Sequence, residues 1–244
     1  MNVSKKPIQY PSQTGPYKLF VKDKGIWQNH SHARLQISVG NPKHDGDKFF
    51  ALAEWAAARF NHITLIVSDT LQRHNIALSN ACSMDIAHNI SLKRGDFWIK
   101  ENENALNILS SKTLTRWNDW LSEKDYPEAY KSVCELYRNA PEVRAAINAK
   151  AAEFSERHSE GSGISQDTSI QTSINYILEE IAIFAIMFLK QNAVDIYPGP
   201  WFKEVFESID TSANNVLFAG FRNPACLRVD FVRNKAPLRE EIAA

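Results

Sequence analysis

Runs of hydrophobic residues alternate with polar segments along the chain, and their period predicts a strand, a helix and a second strand. The apolar run Leu35–Val39 stops at a Gly-Asn-Pro turn, which predicts that a strand ends there. Apolar residues at helical spacing over 47–60 predict a helix, and the run 62–67 predicts a second buried strand. This order indicates parallel strands joined by a right-handed crossover.

The rest of the chain has mainly the helical period. Helices are predicted over 70–94, 101–121, 126–139, 141–158 and 168–191. A short strand is expected over 193–197, and residues 216–221 and 227–232 are weaker strand or loop candidates.

The ends of the chain lack a clear period. Residues 1–30 are expected to form an irregular lead-in, in which 18–23 could be a short edge strand. Residues 160–163 predict a flexible loop and residues 235–244 a flexible tail. The whole pattern predicts one α/β domain over 31–234, Rossmann-like, with a central parallel sheet flanked by helices.

Composition and charge restrict the class of protein. The 28 Lys and Arg residues equal the 28 Asp and Glu residues, so nucleic-acid binding would require a local basic patch. Three separated cysteines without a CxxC spacing favour reduced thiols over a disulfide frame or a zinc site. The N-terminal segment has no apolar core of a signal peptide, and the longest apolar run, 181–189, is shorter than the roughly 20 residues that span a bilayer. A soluble, cytoplasmic protein is expected.

Candidate chemistry begins at the ends of the predicted strands. In open parallel sheets ligands bind outside the carboxyl ends of the strands, which selects Ser38, Ser68 and Tyr197. Ser38 is a candidate nucleophile on a rigid support, although by itself a serine at this place is more often structural. No GxSxG surrounds it, and no GxGxxG or P-loop sequence follows a strand, so hydrolase, dinucleotide and P-loop sites are disfavoured.

The long predicted helix carries a second candidate group. Tyr176 and Glu180 are four residues apart and share a face among apolar neighbours. A carboxylate in an apolar wall is costly to ionise without a partner, and a substrate ammonium group would be one. The alternative is a solvent-facing glutamate, which is the expectation for Glu179. For Tyr197 the alternative is an ordinary core tyrosine.

In this order, the three motifs resemble the tRNA-dependent cyclodipeptide synthase family. They are Ser38 in ISVGNP, Tyr176 and Glu180 in a Tyr-x-x-x-Glu motif, and Tyr197 in IYPGPW. The Gly-Asp-Phe-Trp segment from Gly95 to Trp98, followed by Asn102, is similar to the Gly-x-x-Trp segment of the family.

Two positions depart from the family pattern. Tyr197 followed by Pro198 resembles the Tyr-Pro (XYP) subfamily, whereas Asn41 is typical of the other, Tyr-Gln subfamily. Gln36 stands where the family usually carries glycine, two residues before the nucleophile, so the floor of the pocket is expected to differ.

The resemblance implies a fold shared with class I aminoacyl-tRNA synthetases, without their HIGH-like or KMSKS-like motifs. It implies ping-pong aminoacyl transfer from two aminoacyl-tRNAs through Ser38, without ATP, metal or another cofactor. Tyr176 and Glu180 would hold the amino group, and Tyr197 would position the carbonyl or relay a proton. A monomer with no membrane or DNA partner is also implied.

Further binding residues are expected from the same resemblance. The substrate-binding candidates are Gly40, Asn41, Val67, Leu178, Ile196 and Pro198. The candidates for tRNA phosphates are Lys93, Arg94, Lys100, Lys112 and Arg116, the last two taken as helical neighbours. Acidic residues lie among these cations, so a solvated mixed-charge surface is the more common explanation.

Other classes of protein stay open at this point. One is a Rossmann-like binding module without catalysis, in which Ser38 is structural. Another is a serine hydrolase, which would need a histidine base such as His32 or His44. A synthetase relative would need ATP-dependent activation, whose signatures are missing.

Overall fold

The computed structural model describes residues 8–10, 15–21, 25–159, 164–190 and 192–234, and these residues form a sheet of seven strands in the order β1-β2-β7-β6-β3-β4-β5. The strands are β1 (Ile8–Tyr10), β2 (Tyr17–Val21), β3 (His32–Ile37), β4 (His62–Val67), β5 (Lys112–Arg116), β6 (Val194–Tyr197) and β7 (Cys226–Arg233). Strands β3 to β7 are parallel, and β2 joins β7 in antiparallel pairing. This is the predicted mixed α/β class with a mainly parallel sheet.

The order of the parallel strands locates the ligand crevice. Counted from β3 as the first, the five strands lie in the order 3-2-1-4-5, which is the Rossmann order. The chain first builds the sheet from β3 towards β5, and it returns to the other side of β3 when it reaches β6. Ligands bind where the strand order reverses in this way, between the carboxyl ends of β3 and β6.

Helices cover both faces of this sheet. They are α1 (Gly46–Ala57), α2 (Arg73–Asn80), α3 (Met84–Glu101), α4 (Glu103–Ile108), α5 (Trp117–Leu121), α6 (Tyr126–Asn139), α7 (Pro141–Ser159), α8 (Gln166–Lys190) and α9 (Lys203–Ser212). Within the described ranges, three 3-10 helices span Ile26–Asn29, Thr70–Gln72 and Val216–Phe221. One hydrophobic core lies between the sheet and α1 and α4, and the other lies around α8.

Alternation along the strands decides which side chain faces which core. In β3, Ala33, Leu35 and Ile37 belong to the core under α1. Arg34 and Gln36 point to the opposite face, where both contact Met187 of α8. Because side chains alternate along a strand, Ser38 continues the α8 face.

Helix α8 is the central helix of the second core. Within the described residues it is the one helix long and apolar enough to cross a membrane by length and composition, and two-thirds of its most apolar stretch is buried inside the fold. Side chains from Ile177 to Met187 pack against α6, α7 and the sheet, apart from Glu180 at a cavity wall. Its apolar character is therefore accounted for by the protein interior.

Two long predicted helices are in fact broken. The segment 70–94 contains a 3-10 turn, α2 and the start of α3, separated by Ala81 in the left-handed conformation and by Ser83, whose hydroxyl caps α3. The segment 101–121 contains α4, strand β5 and α5. The β-branched residues Thr113 and Thr115 favour an extended backbone, and pairing with β4 makes this segment an edge strand.

Two smaller predictions also need correction, and one helix was missed. The short strand expected over 18–23 is confirmed as β2, but it is not an edge strand, because it pairs with β1 and β7 and buries Leu19 and Val21. Residues 216–221 form a 3-10 helix, and α9 was not predicted.

The predicted strands at 62–67, 193–197 and 227–232 and the predicted helices from 126 onward are confirmed within a few residues. The loop 160–163 and the tail 235–244 lie outside the described residues.

Candidate active site

The loop after β3 holds Ser38 in a tight turn. The Asn41 N–H donates to the Ser38 carbonyl at 3.1 Å, and the His44 N–H donates to the Asn41 carbonyl at 2.8 Å. Gly40 has φ +87°, a conformation that favours glycine. The Asn41 side chain accepts the Lys43 N–H at 3.0 Å, so the structure gives it a turn-forming contact.

His44 fixes the backbone of the nucleophile candidate. Its Nδ1 accepts the Ser38 N–H at 2.6 Å, and its ring packs edge-on against Tyr197 at 5.3 Å between ring centres. The side chain is fully buried, and this burial lowers the pKa of His44 to about 3. His44 is therefore neutral, and the nitrogen that accepts from the backbone is not available to the Ser38 hydroxyl.

Helix α3 holds this loop through the Gly-x-x-Trp segment. Trp98 Nε1 donates to the His44 carbonyl at 2.9 Å, and Asn102 Oδ1 accepts the Gly46 N–H at 3.1 Å. At Gly95 an added Cβ would overlap Asp69 Oδ2 and Arg116 Nη2. Glycine therefore allows α3 to approach closely, while tryptophan and asparagine anchor the Ser38 loop.

Tyr176 reaches the serine through a residue that the sequence did not single out. Gln72 Nε2 donates to the Tyr176 hydroxyl at 3.2 Å and lies 3.4 Å from Ser38 Oγ. Burial, together with the charge of Glu180, raises the pKa of Tyr176 well above its usual value, so this hydroxyl keeps its proton. Gln72 ends the 3-10 turn Thr70–Gln72, five residues after the carboxyl end of β4, and this place near a strand end is the sequence signal that could have indicated it.

Glu180 lies one helical turn from Tyr176 at the wall of the same cavity. Among the described residues none donates a hydrogen bond to its carboxylate. Burial, with a smaller effect of the Glu179 charge, raises the pKa of Glu180 to about 8. The carboxyl can therefore exchange a proton near neutral pH, and a cation beside it would favour its charged form.

Glu179 points to the other side of α8 and is buried, so the expectation that it faces solvent is wrong. Its carboxylate accepts from Arg73, from His74 at 3.1 Å and from Trp117 Nε1 at 2.8 Å. Burial alone would raise the pKa of Glu179, but His74 and Arg73 together lower it. This charged network attaches α2 and α5 to α8.

A cavity of about 120 Å³ brings the predicted catalytic residues together. Ser38, Tyr176, Glu180 and Tyr197 all line it, as expected. Its remaining lining residues are Gln36, Ser68, Lys150, Phe154, Phe184, Pro200, Trp201 and Phe202. Most of these come from α7 and from the segment after β6, whose position relative to Ser38 is set by tertiary packing.

Other predicted substrate-binding residues do not line this cavity. Val67 and Ile196 are fully buried on the α1 face of the sheet, one residue before Ser68 and Tyr197, which do face the cavity. Leu178 is two helical positions from Tyr176 and lies in the core on the far side of α8. Pro198 is buried nearby, and Gly40 lines a separate groove.

That groove lies between the Ser38 loop and α3. It is an open cleft of about 640 Å³, and Lys93, Arg94 and Phe97 form part of its wall. Lys93, Arg94 and Lys100 are exposed, and none pairs with an acidic side chain among the described residues. The cations on α3 are thus open to an anionic ligand.

The two remaining predicted cations lie elsewhere. Lys112 and Arg116 are on β5 and not on a helix, so the assumption that they are helical neighbours is wrong. Arg116 donates to Asp69 at 2.6 Å and to Asp96 at 2.5 Å, which occupies its guanidinium in an internal network. Across the described part of the chain no group of three or more His, Cys, Asp or Glu residues could hold a metal ion.

Residues 22–194 match the family model described as cyclodipeptide synthase. The match extends over more than half of the 244 residues, and the chain belongs to the cyclodipeptide synthase family. No curated protein matches the chain significantly.

Solved structures of this family share the fold. A cyclodipeptide synthase from Fluoribacter dumoffii is 20% identical with a TM-score of 0.79, and the match covers 89% of this chain and 100% of that one. A cyclodipeptide synthase from Candidatus Glomeribacter gigasporarum, solved bound to Phe-tRNA, is 18% identical with a TM-score of 0.64 over 87% and 93% of the two chains. A Mycobacterium tuberculosis protein is 14% identical with a TM-score of 0.64, and the match covers 95% of this chain and 98% of that one. Its structure demonstrates that cyclodipeptide synthetases are related to type I tRNA synthetases.

Proposed function

We propose that the protein joins the aminoacyl groups of two aminoacyl-tRNAs into a cyclic dipeptide, with Ser38 as the nucleophile. The observation that carries this proposal is the convergence of Ser38, Tyr176, Glu180 and Tyr197 on one cavity at the crevice between β3 and β6. Membership of the cyclodipeptide synthase family supports it. The relative solved with Phe-tRNA supports aminoacyl-tRNA as the substrate class.

In the first step Ser38 Oγ attacks the ester carbonyl of the first aminoacyl-tRNA. A bond forms between Oγ and the carbonyl carbon, the bond to the ribose oxygen breaks, and the hydroxyl proton goes to the departing tRNA. Gln72, close to both Ser38 Oγ and the Tyr176 hydroxyl, would orient the two oxygens. Because the ester is already activated, this step needs no ATP, and we propose none, nor a metal.

In the second step the amine of the aminoacyl-enzyme attacks the second aminoacyl-tRNA. The amide bond forms, the second tRNA leaves, and the amine of the resulting dipeptidyl group then attacks the Ser38 ester, which releases the ring and restores the serine. Glu180 would bind the ammonium group with Tyr176 and take up its proton, which suits a carboxyl whose pKa is about 8. Tyr197, packed against His44, would position the reacting carbonyl.

The site does not favour a serine hydrolase. His44 is neutral, buried and bonded to the Ser38 backbone. His32 is the first residue of β3, at the opposite end of the strand from Ser38, and its ring contacts the Thr64 hydroxyl at 2.9 Å. Neither ring can take the Ser38 hydroxyl proton in this arrangement, and a hydrolase of the Ser-His type requires that contact.

Finer features belong to the same proposal. We place the chain in the Tyr-Pro subfamily because Pro198 follows Tyr197, although Asn41 is typical of the other one. We also propose a cytoplasmic monomer that binds tRNA phosphates through Lys93, Arg94 and Lys100, with no DNA or membrane partner. The open cleft beside these cations supports a tRNA site there.

The test is covalent capture on Ser38. The purified protein is incubated with aminoacyl-tRNAs and analysed by intact mass spectrometry, and the medium of expressing cells is searched for a cyclic dipeptide. We expect an aminoacyl adduct that disappears in Ser38→Ala and persists in the matched control Ser68→Ala, which alters the same cavity. An adduct that survives in Ser38→Ala, or no adduct with any aminoacyl-tRNA, would exclude the proposed function.

A further inference from the structure

The floor of the cavity contains a polar side chain that the proposed chemistry does not use. Gln36 is 5% exposed, lies on the same face of β3 as Ser38, and lines the cavity two residues from the nucleophile. Successive residues on one face of a strand are about 7 Å apart. A side chain extending from an acyl group on Ser38 along the sheet therefore meets Gln36.

Contacts with Asp195 and Met187 fix the orientation of the Gln36 amide. Its Nε2 donates to Asp195 Oδ1 at 2.8 Å, and its second N–H faces Met187 Sδ at 3.7 Å. Asp195 also accepts two hydrogen bonds from Arg34, at 2.9 and 2.5 Å, and this ion pair is fully buried between β3 and β6. A carboxylate paired with a guanidinium only accepts, so the nitrogen of Gln36 must face it.

This arrangement leaves the amide oxygen as the group that Gln36 presents to the cavity. Among the described residues none donates a hydrogen bond to Gln36 Oε1. The oxygen is open to the cavity, where water can bond it. A bound side chain that displaces this water without supplying a donor would leave the oxygen unpaired, which is unfavourable. Beyond the proposed catalytic residues, the other walls are the rings of Phe154, Phe184, Trp201 and Phe202, which suit an apolar body, together with Ser68, Lys150 and Pro200.

The size of the cavity limits what can enter. It is about 120 Å³, whereas an apolar cavity of roughly 150 Å³ in another protein accepts benzene. The comparison sets about one aromatic ring as the upper limit for a side chain that enters, and the Gln36 oxygen favours a polar end.

Resting on the proposed function, we propose that Gln36 makes the enzyme select, as its first substrate, an aminoacyl group whose mostly apolar side chain ends in a hydrogen-bond donor. Hydroxyl-bearing side chains belong to this class, and their isosteres without the hydroxyl do not. Sites built to bond a substrate hydroxyl discriminate strongly against the analogue that lacks it, because their own polar group is then left unpaired.

The experiment compares acylation of Ser38 by matched pairs of aminoacyl-tRNAs, tyrosyl against phenylalanyl and threonyl against valyl. Single-turnover rates are followed by intact mass spectrometry. For at least one pair the wild-type protein should react roughly ten- to hundred-fold faster with the hydroxyl-bearing member. In Gln36→Met, which keeps the length of the side chain and removes the acceptor, that ratio should fall to within about three-fold.

Each outcome has a separate meaning. Acylation of the wild type that prefers the apolar member of both pairs, or a preference that Gln36→Met retains, would overturn the role of Gln36 while leaving the proposed function intact. Absence of any Ser38 adduct would instead contradict the proposed function itself. A cooperative urea unfolding transition of Gln36→Met would show that the variant is folded. The exposed Glu204→Gln on α9, which does not line the cavity, is the control that should keep the wild-type ratio.

Discussion

Two adjacent glutamates on α8 have opposite surroundings. Glu179 accepts hydrogen bonds from Arg73, His74 and Trp117, which keep it charged in the interior. Glu180, about 100° further around the helix, faces the cavity with its pKa raised to about 8. A buried carboxylate without a partner is unfavourable, so the site is prepared for a cation that it does not itself supply.

This difference predicts how stability depends on pH. The ordinary pKa of a glutamate is 4.5, so the folded state binds a proton at Glu180 that the unfolded chain has lost between about pH 4.5 and 8. Wild-type stability should therefore fall as the pH rises through this range and level off above it. Glu180→Gln, which is neutral throughout, should gain about 2 kcal/mol over the wild type by pH 8, since water in the cavity weakens the effect.

The measurement is thermal unfolding of both proteins between about pH 5 and 9, where 2 kcal/mol corresponds to roughly 4–8 °C for a protein of this size. The exposed Glu204→Gln on α9 is the control and should follow the wild type. A difference between Glu180→Gln and wild type that stays constant with pH would contradict the raised pKa.

At the scale of elements, Arg73 and His74 at the start of α2 both bond Glu179 of α8. Arg73 donates to Glu179 at 2.8 Å and to the Thr70 carbonyl at 2.8 Å. Gln72, which contacts Ser38 and Tyr176, immediately precedes this arginine. The position of the Gln72 amide beside Ser38 therefore depends on the junction between α2 and α8.

Removing one partner of this junction should cost more than removing both. We expect Arg73→Met to lose about 3 kcal/mol of unfolding free energy, because the Glu179 carboxylate stays buried with fewer donors. Arg73→Met combined with Glu179→Met should be at least about 1 kcal/mol more stable than the single variant. Urea unfolding measures both values, and a double variant less stable than the single one would argue against a buried charge as the cause.

The same scale shows what the sequence can predict. Helices α6, α7 and α8 and strands β3 and β4 have strong local periods, and they were predicted within a few residues. The alternation of side chains along β5 is too short to identify a strand, and this segment is extended because it pairs with β4. The sequence alone therefore led to the prediction of a helix there.

The candidate site was likewise predictable in part. Ser38, Tyr176, Glu180 and Tyr197 were predicted because motifs and strand ends mark them. The walls of the cavity were not, because Lys150 and Phe154 on α7 and Trp201 after β6 reach Ser38 only through packing between distant segments. Val67 and Ile196 were placed on the wrong face because a shift of one residue along a strand reverses the face.

At the scale of the whole molecule, charge is balanced, with 28 basic and 28 acidic residues. Attraction to tRNA must therefore be local, and α3 carries exposed Lys93, Arg94 and Lys100 beside the open groove. Binding by few phosphate contacts should show a shallow dependence on salt.

We expect Lys93→Gln combined with Arg94→Gln to weaken tRNA binding and to reduce the slope of log affinity against log salt by about 1.5 to 2. Fluorescence anisotropy with labelled tRNA between about 50 and 200 mM salt measures this slope. The exposed Lys131 on α6 provides the control Lys131→Gln, whose slope should match the wild type. An unchanged slope in the double variant would place the tRNA on another surface.

The reversal of strand order at β3 also has a consequence for synthesis of the chain. Ser38 emerges from the ribosome early, whereas Tyr197 follows about 160 residues later. At roughly 5–20 residues per second the interval lasts about 8–30 s, and throughout it one edge of β3 lacks the partner that β6 will supply. The nascent protein thus has the proposed nucleophile long before it has a pocket. Variants that slow the docking of β6 should therefore lower the yield of soluble protein before they affect the activity of the molecules that fold.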